Sequence, residues 1–280
     1  MPALVILTLL VYIIIGIGKR SNFFKAEVQM PRRPVNHGLL DCVTPHSTLL
    51  GYASGIPAYS NCHRLWSSDV MAFASLAFPD DVLKEPFPLG DRRQLSTGKC
   101  WVAAEYVSRF YYLMRGLVFY YDSAEVRQFW STIEFYSTEG DKRKYEVIEL
   151  PNYKEVKTAK ERKRLAPKFA DVVVWASHPE RELDEGHAAV VVHVEDDVEA
   201  AGGEAQLREM QKEHTQPQLV YIAEQNFDNK DWEGKNYSRV LRFSWKNGKE
   251  MLLEDSDDYN IIGRVRPGKV KRDDMDEGDL

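Results

Sequence analysis

Seven histidines and three cysteines are the residues of this chain best suited to nucleophilic or metal chemistry. A thiol hydrolase holds its attacking cysteine at a helix N-terminus, where the helix dipole and a nearby histidine keep the sulfur as thiolate. Cys100 lies beside such a helix, in GKCWVAAEYVSR at residues 98–109: from Trp101 onward, Val102, Tyr106, Phe110 and Leu113 recur at three- or four-residue steps, and Gly116 ends the run. That places Cys100 in the turn before the helix, where it reads as a partly buried structural thiol. His187 sits in the apolar run GHAAVVVHV at 186–194, and His193, of the same strand parity, sits at its far end as a surface residue. His37, His46, His63, His178 and His214 fall in loops or polar segments without metal-binding spacing. Cys42, Cys62 and Cys100 form no close pair and are odd in number, so neither a metal site nor a disulfide framework is expected, and a reducing compartment is.

A length of 280 residues provides for one large domain or two small ones with a real core. A net charge of -6 gives no support for nucleic-acid binding, which needs a basic patch or stripe. Residues 2–18, PALVILTLLVYIIIGIG, carry no charge. As a helix they would reach about 25 Å, near the short end of what spans a bilayer core. A secretory signal is the rival reading, but it wants a positive n-region and a small-residue cleavage site. We therefore expect a single transmembrane anchor over residues 2–18 and a linker over 19–37. Lys19, Arg20, Lys25, Arg32 and Arg33 follow the apolar run, which puts the soluble domain on the cytosolic or matrix side, the mitochondrial inner membrane being one such setting. The domain proper is expected over 38–268, with a charged tail over 269–280.

Within that domain, 49–61 (LLGYASGIPAYSN) reads as a tight loop-strand-loop. Residues 70–78 read as a short buried helix, stopped by Pro86 and Pro88. A second amphipathic helix is expected over 123–135, with Val126, Phe129, Trp130 and Ile133 on one face. The period then changes to two: strands are expected at 170–175, 186–194 and 218–224, and a hairpin joins 237–245 to 250–254 around Asn247 and Gly248. Helices first and antiparallel strands afterwards predict an α+β fold. Two polar insertions, the basic helix-prone run 154–168 and the Gly- and Glu-rich 195–216, read as solvated surface.

Five segments in order resemble a known family: LLGYASGIPAYSN at 49–61, W-x-x-x-E at Trp101 to Glu105, GHAAVVV at 186–192, IAEQN at 222–226 and IIGRV at 261–265. Their sequence and spread are similar to the amidase domain of glutathionylspermidine synthetase/amidase and trypanothione synthetase-amidase, in the CHAP group of cysteine, histidine-dependent amidohydrolases and peptidases. The resemblance implies a papain-like CHAP fold, with a nucleophile helix packed on an antiparallel sheet. It puts the family cysteine at Ala103, the base at His187, and the group that orients the base within Glu224 to Asn226, with Glu224 first and Asn226 as the alternative. Consecutive arginines of the family become Ser108 and Arg109. Arg109, with Tyr59 and Ser60 of the first segment, is what the resemblance offers for substrate binding.

A methyl group cannot attack a carbonyl, so Ala103 removes the reaction while His187 and Glu224 remain. Cys100, three residues earlier, is the unlikely substitute nucleophile. With no Gly-rich phosphate loop, ATP-dependent ligation is not expected, and no cofactor or metal is. The expectation is a membrane-anchored, catalytically inactive amidase-like protein with a structural or interaction role, as an accessory subunit of a membrane complex such as a respiratory one. Two alternatives stand beside it: an active amidase cleaving a glutathione-polyamine amide, and a protein that binds such a conjugate without cutting it.

Overall fold

The computed structural model describes residues 41–75, 82–83, 94–121, 129–138 and 143–271. The apolar run 2–18, the linker 19–37 and the tail beyond residue 271 lie outside the described residues. Among the described residues the first elements are the hairpin strands β1 (Leu49–Ala53) and β2 (Ile56–Tyr59). Strands β3 (Met71–Ser75), β4 (Val82–Leu83) and β5 (Gln94–Lys99) form a small sheet in the order β4-β3-β5. Helix α1 (Ala103–Arg115) follows, then the hairpin β6 (Leu117–Tyr120) and β7 (Glu134–Ser137) with the short α2 (Phe129–Thr132) between them. The main sheet contains β8 (Tyr145–Pro151), β9 (Val172–Trp175), β10 (His187–Asp196), β11 (Gln218–Ala223), β12 (Arg239–Lys246), β13 (Glu250–Glu254) and β14 (Ile261–Val270). Its order is β13-β12-β11-β10-β9-β14-β8, antiparallel throughout, with α3 (Ala159–Leu165) and α4 (Glu204–Glu213) in its connections.

This architecture corrects the α+β expectation. The protein is mostly antiparallel sheet, 40% strand against 18% helix, curled into a half-barrel. Of the expected helix over 70–78, Met71–Ser75 is instead β3, because it finds edge partners on both sides in β4 and β5; residues 76–78 lie outside the described residues. Of the expected helix over 123–135, Phe129–Thr132 forms a single turn and Glu134 onward is strand, pairing Phe135 with Phe119; residues 122–128 lie outside the described residues. The loop-strand-loop at 49–61 is a strand hairpin. No helix among the described residues is long and apolar enough to cross a membrane, so the single-pass membrane assignment is not supported by the structure.

The centre of the sheet is buried on both faces, which is why β9 and the first half of β10 read as continuous apolar runs. Val172 and Val174 of β9 and Ala188 and Val190 of β10 join one core, whereas Val173, Trp175, Ala189 and Val191 join the other. The first core is closed by α1, whose Tyr106, Val107, Phe110 and Tyr111 have no exposed surface. The Gly116 N–H caps the helix by bonding the carbonyls of Tyr111 and Tyr112 at a φ of 60°, a left-handed conformation that favours glycine. Gly186, just before His187, has a φ of 70°, and a Cβ there would stand 2.6 Å from the Trp175 carbonyl oxygen.

These two glycines make a graded test. At Gly116 an added Cβ meets nothing closer than Thr138 Oγ1 at 3.5 Å, so Gly116→Ala is expected to cost about 1 kcal/mol, the left-handed penalty alone. Gly186→Ala adds a backbone collision and is expected to cost at least about twice as much in urea unfolding. Equal losses would mean that the close approach at Gly186 is not a constraint.

Candidate active site

The N-terminus of α1 is the floor of the site. Val102 is its N-cap and supplies no side-chain hydrogen bond, so the amide dipoles of the first turn are not quenched by a capping oxygen. Ala103 and Ala104 open the helix and line a cavity of about 450 Å³. His187, Asn226, the segment Arg64 to Ser67 and the loop from Glu182 to Ala188 form other walls. The structure therefore brings Ala103, His187 and Asn226 to one pocket.

Glu224 orients the histidine: its Oε2 lies 2.7 Å from His187 Nε2, and both side chains are buried. The ring nitrogen not bonded to Glu224 is Nδ1. Trp175 and Phe227 flank the imidazole, each with a ring centroid at 5.2 Å. Glu224 is itself held by Arg239, whose Nε donates to Oε1 at 2.6 Å and whose Nη2 donates to Oε2 at 3.2 Å, and by the Ser238 hydroxyl at 3.1 Å. Arg239 continues to both oxygens of Asp255, which also accepts from Trp175 Nε1. Burial pushes the Glu224 carboxyl up, but the Arg239 guanidinium and then the His187 hydrogen bond outweigh it and hold the pKa at about 2.

Asn226 takes a different part from the one considered for it. It does not bond His187; with a φ of 61° it turns from the strand end into the pocket, donates from Nδ2 to the Arg64 carbonyl at 3.3 Å, and leaves Oδ1 buried without a hydrogen-bond partner.

The remaining candidates lie elsewhere. Arg109 has no exposed surface and does not line the cavity: its Nε and Nη2 donate to Glu105 at 2.8 and 3.1 Å, and Nη1 to the Pro57 carbonyl. Burial works against its charge, but Glu105 more than compensates and its pKa rises. It is a buried structural cation. Tyr59 packs against Trp101 with ring centroids 4.5 Å apart and planes tilted by 38°, and Ser60 donates to the Thr44 carbonyl; both are buried away from the pocket. Cys100 is 4% exposed, packed with Tyr59, Ala72 and Trp101, and is not part of the cavity lining.

The expectation of no disulfide is corrected as well. Cys42 and Cys62 are bonded, 20 residues apart in sequence, because the β1–β2 hairpin folds the chain back on itself between them. With one bond formed, the odd cysteine is the buried Cys100. The reducing-compartment expectation rested on the absence of such a bond and falls with it.

Three functional-network residues escaped sequence reasoning: Gln225, Arg239 and Asp255. Gln225 lies inside IAEQN and bridges α1 to β11, accepting from the Tyr59 N–H and Arg109, and donating to Glu105 and the Val102 carbonyl. Arg239 and Asp255 are separated from Glu224 by strand turns, and no local spacing marks them. Among the described residues no group of three His, Cys, Asp or Glu side chains is placed to hold a metal ion. Compared with known proteins, the chain matches no family model and no curated protein.

The ion pairs on Glu224 predict a pH dependence. An unfolded glutamate titrates near 4.3, whereas this one does so at about 2, so the folded state binds its proton less readily. Its contribution to stability is therefore full above about pH 4.5 and lost as pH falls toward 2. In Glu224→Gln that segment of the stability-pH curve is expected to flatten. An unchanged slope would assign the acid sensitivity to other carboxylates.

Proposed function

We propose that this chain is a catalytically inactive, amidase-like protein of the CHAP kind, retained for binding or interaction and not for hydrolysis. The observation that carries the reading is the pairing of an oriented His187–Glu224 dyad with a methyl group, Ala103, on the same cavity at a helix N-terminus. A cysteine hydrolase needs a thiolate there, a base within reach and donors for the developing oxyanion. The helix end and the histidine have the required character; the sulfur does not exist. Cys100 offers no replacement, since it packs in a different cluster. The membrane-complex role expected from residues 2–18 is not carried forward, because it rested on the anchor.

Ala103→Cys tests the reading directly. The introduced thiol is expected to react with iodoacetamide at neutral pH at least about tenfold faster than Cys100 does in the parent, because the helix dipole and His187 favour the thiolate. His187→Ala in that background should remove most of the gain. The parent chain is expected to release no amine from a glutathione-polyamine amide. An ordinary, slow thiol at residue 103, or turnover by the parent that is lost in Cys100→Ala, would overturn the proposal.

A second reading is favoured by the rim of the cavity, where Glu182, Asp184 and Glu185 are exposed beside the buried Asn226 acceptor. The pocket then still holds a cationic amide such as a glutathione-polyamine conjugate. A conjugate present at a hundred times its dissociation constant stabilises the fold by about 2.7 kcal/mol, a rise of a few degrees in Tm. No shift at millimolar conjugate would remove this reading and leave an interaction role.

A further inference from the structure

The Cys42–Cys62 bond is built into the support of one pocket wall. Cys62 is followed directly by His63 and then by Arg64, Leu65, Trp66 and Ser67, all four of which line the cavity. The segment 42–48 lies behind that wall. Val43 N–H donates to the Cys62 carbonyl, Ser47 N–H to the Ser60 carbonyl and the Ser60 hydroxyl to the Thr44 carbonyl. From there the contacts run into the wall and the floor: His46 meets the Trp66 ring edge-on at 4.7 Å, Asn61 Nδ2 donates to the Trp66 carbonyl, and Trp101 Nε1 donates to Ser47 Oγ at 2.8 Å.

Two further features distinguish this bond from an inert staple. Its two residues are unequal in exposure: Cys42 is exposed whereas Cys62 is fully buried. Cys62 also has a φ of 72°, a left-handed conformation that a non-glycine residue keeps only while its surroundings enforce it. Breaking the tether removes one of the constraints on this residue at the root of the pocket wall and leaves its N–H bonded to Ser60 Oγ.

We propose that Cys42–Cys62 is a thiol–disulfide exchange site that sets the shape of the pocket: closed by the bond, loosened by its reduction. The inference concerns regulation of the same cavity that the proposed function rests on. The co-reactant is a dithiol reductant. One of its thiolates attacks Sγ of the exposed Cys42, the Sγ–Sγ bond breaks, and Cys62 leaves as a thiolate. The second thiolate of the reductant attacks the mixed disulfide and expels Cys42. The reductant ends as a disulfide, both cysteines end reduced, and the two thiol protons of the reductant balance the two new thiols. Residues 43–48 are then held to 60–62 by hydrogen bonds, and to the pocket wall by contacts such as that of His46 with Trp66, without a covalent tether.

The test is hydrogen exchange by mass spectrometry on the full chain, oxidised, reduced with dithiothreitol, and re-oxidised. Reduction is expected to raise exchange at least fivefold within 43–48 and 60–67, to leave β9 to β12 unchanged, and to be reversed on re-oxidation. Exchange that stays the same overturns the proposal. So does exchange that rises equally through β9 to β12, which would make the bond a staple of the whole fold. A second measurement reads the pocket itself: the rate at which a bulky maleimide labels residue 103 in Ala103→Cys against the same variant carrying Cys42→Ser and Cys62→Ser. At least a fivefold acceleration is expected in the latter, and equal rates would refute control of access. The exchange readout does not depend on amidase chemistry, so failure of the functional proposal and failure of this one remain distinct.

Discussion

A salt bridge with no exposed surface, Glu105 to Arg109 within α1, constrains more of this structure than any other interaction. Taking two charges out of water costs several kcal/mol per ion unless the remaining donors and acceptors are also met. Here they are met by neighbours from different elements. Pro57 of β2 accepts from Arg109, Thr97 of β5 donates to Glu105, and Gln225 at the end of β11 bonds both. Satisfying one ion pair therefore fixes the helix against a hairpin, the small sheet and the main sheet together. Gln225 also reaches the Val102 carbonyl, so the place where α1 begins is set by a group that does not face the cavity.

The consecutive residues Glu224, Gln225 and Asn226 serve three environments. Glu224 points to His187, Gln225 to α1, and Asn226, in a left-handed conformation, to the pocket. A shift of the strand end by one residue would disturb all three. Arg239 and Asp255 extend this coupling into the second core through Trp175 and Phe227, with the guanidinium 3.5 Å from the Phe227 ring centroid. An arrangement that resembles catalytic machinery is thus at the same time part of what holds the sheet to the helix.

What the sequence made legible follows from this division. Helix α1 and its glycine stop were readable because a buried helix face repeats with a local period, and the strands at 170–175, 186–194 and 218–224 were readable because burial on both faces leaves an apolar run. Residues 71–75 were misread because a short apolar run does not distinguish strand from buried helix; the edge partners that decide the matter, Val82 and Leu83 of β4 and Gln94 to Lys99 of β5, lie outside that run. Arg109 was offered for substrate binding through the resemblance alone, and only the three-dimensional neighbourhood shows a cation enclosed by Glu105, Pro57 and three aromatic rings. The disulfide was missed because an odd cysteine count hides a pair that the β1–β2 hairpin brings together.

These couplings also bear on why a fold of this kind can carry a histidine and its carboxylate without a nucleophile. His187 lies between two aromatic rings, and Glu224 is ion-paired and buried; replacing either leaves unpaired polar groups in the interior. Ala103, by contrast, is partly exposed at the first helical position, supports no hydrogen-bond network through its side chain, and is the residue with the highest helix propensity. Of the groups a cysteine amidase needs, the sulfur is the one whose removal costs the fold least. On the proposed reading, a dyad without a thiol is what packing energetics alone would leave behind, and the presence of His187 and Glu224 is not by itself a sign of turnover.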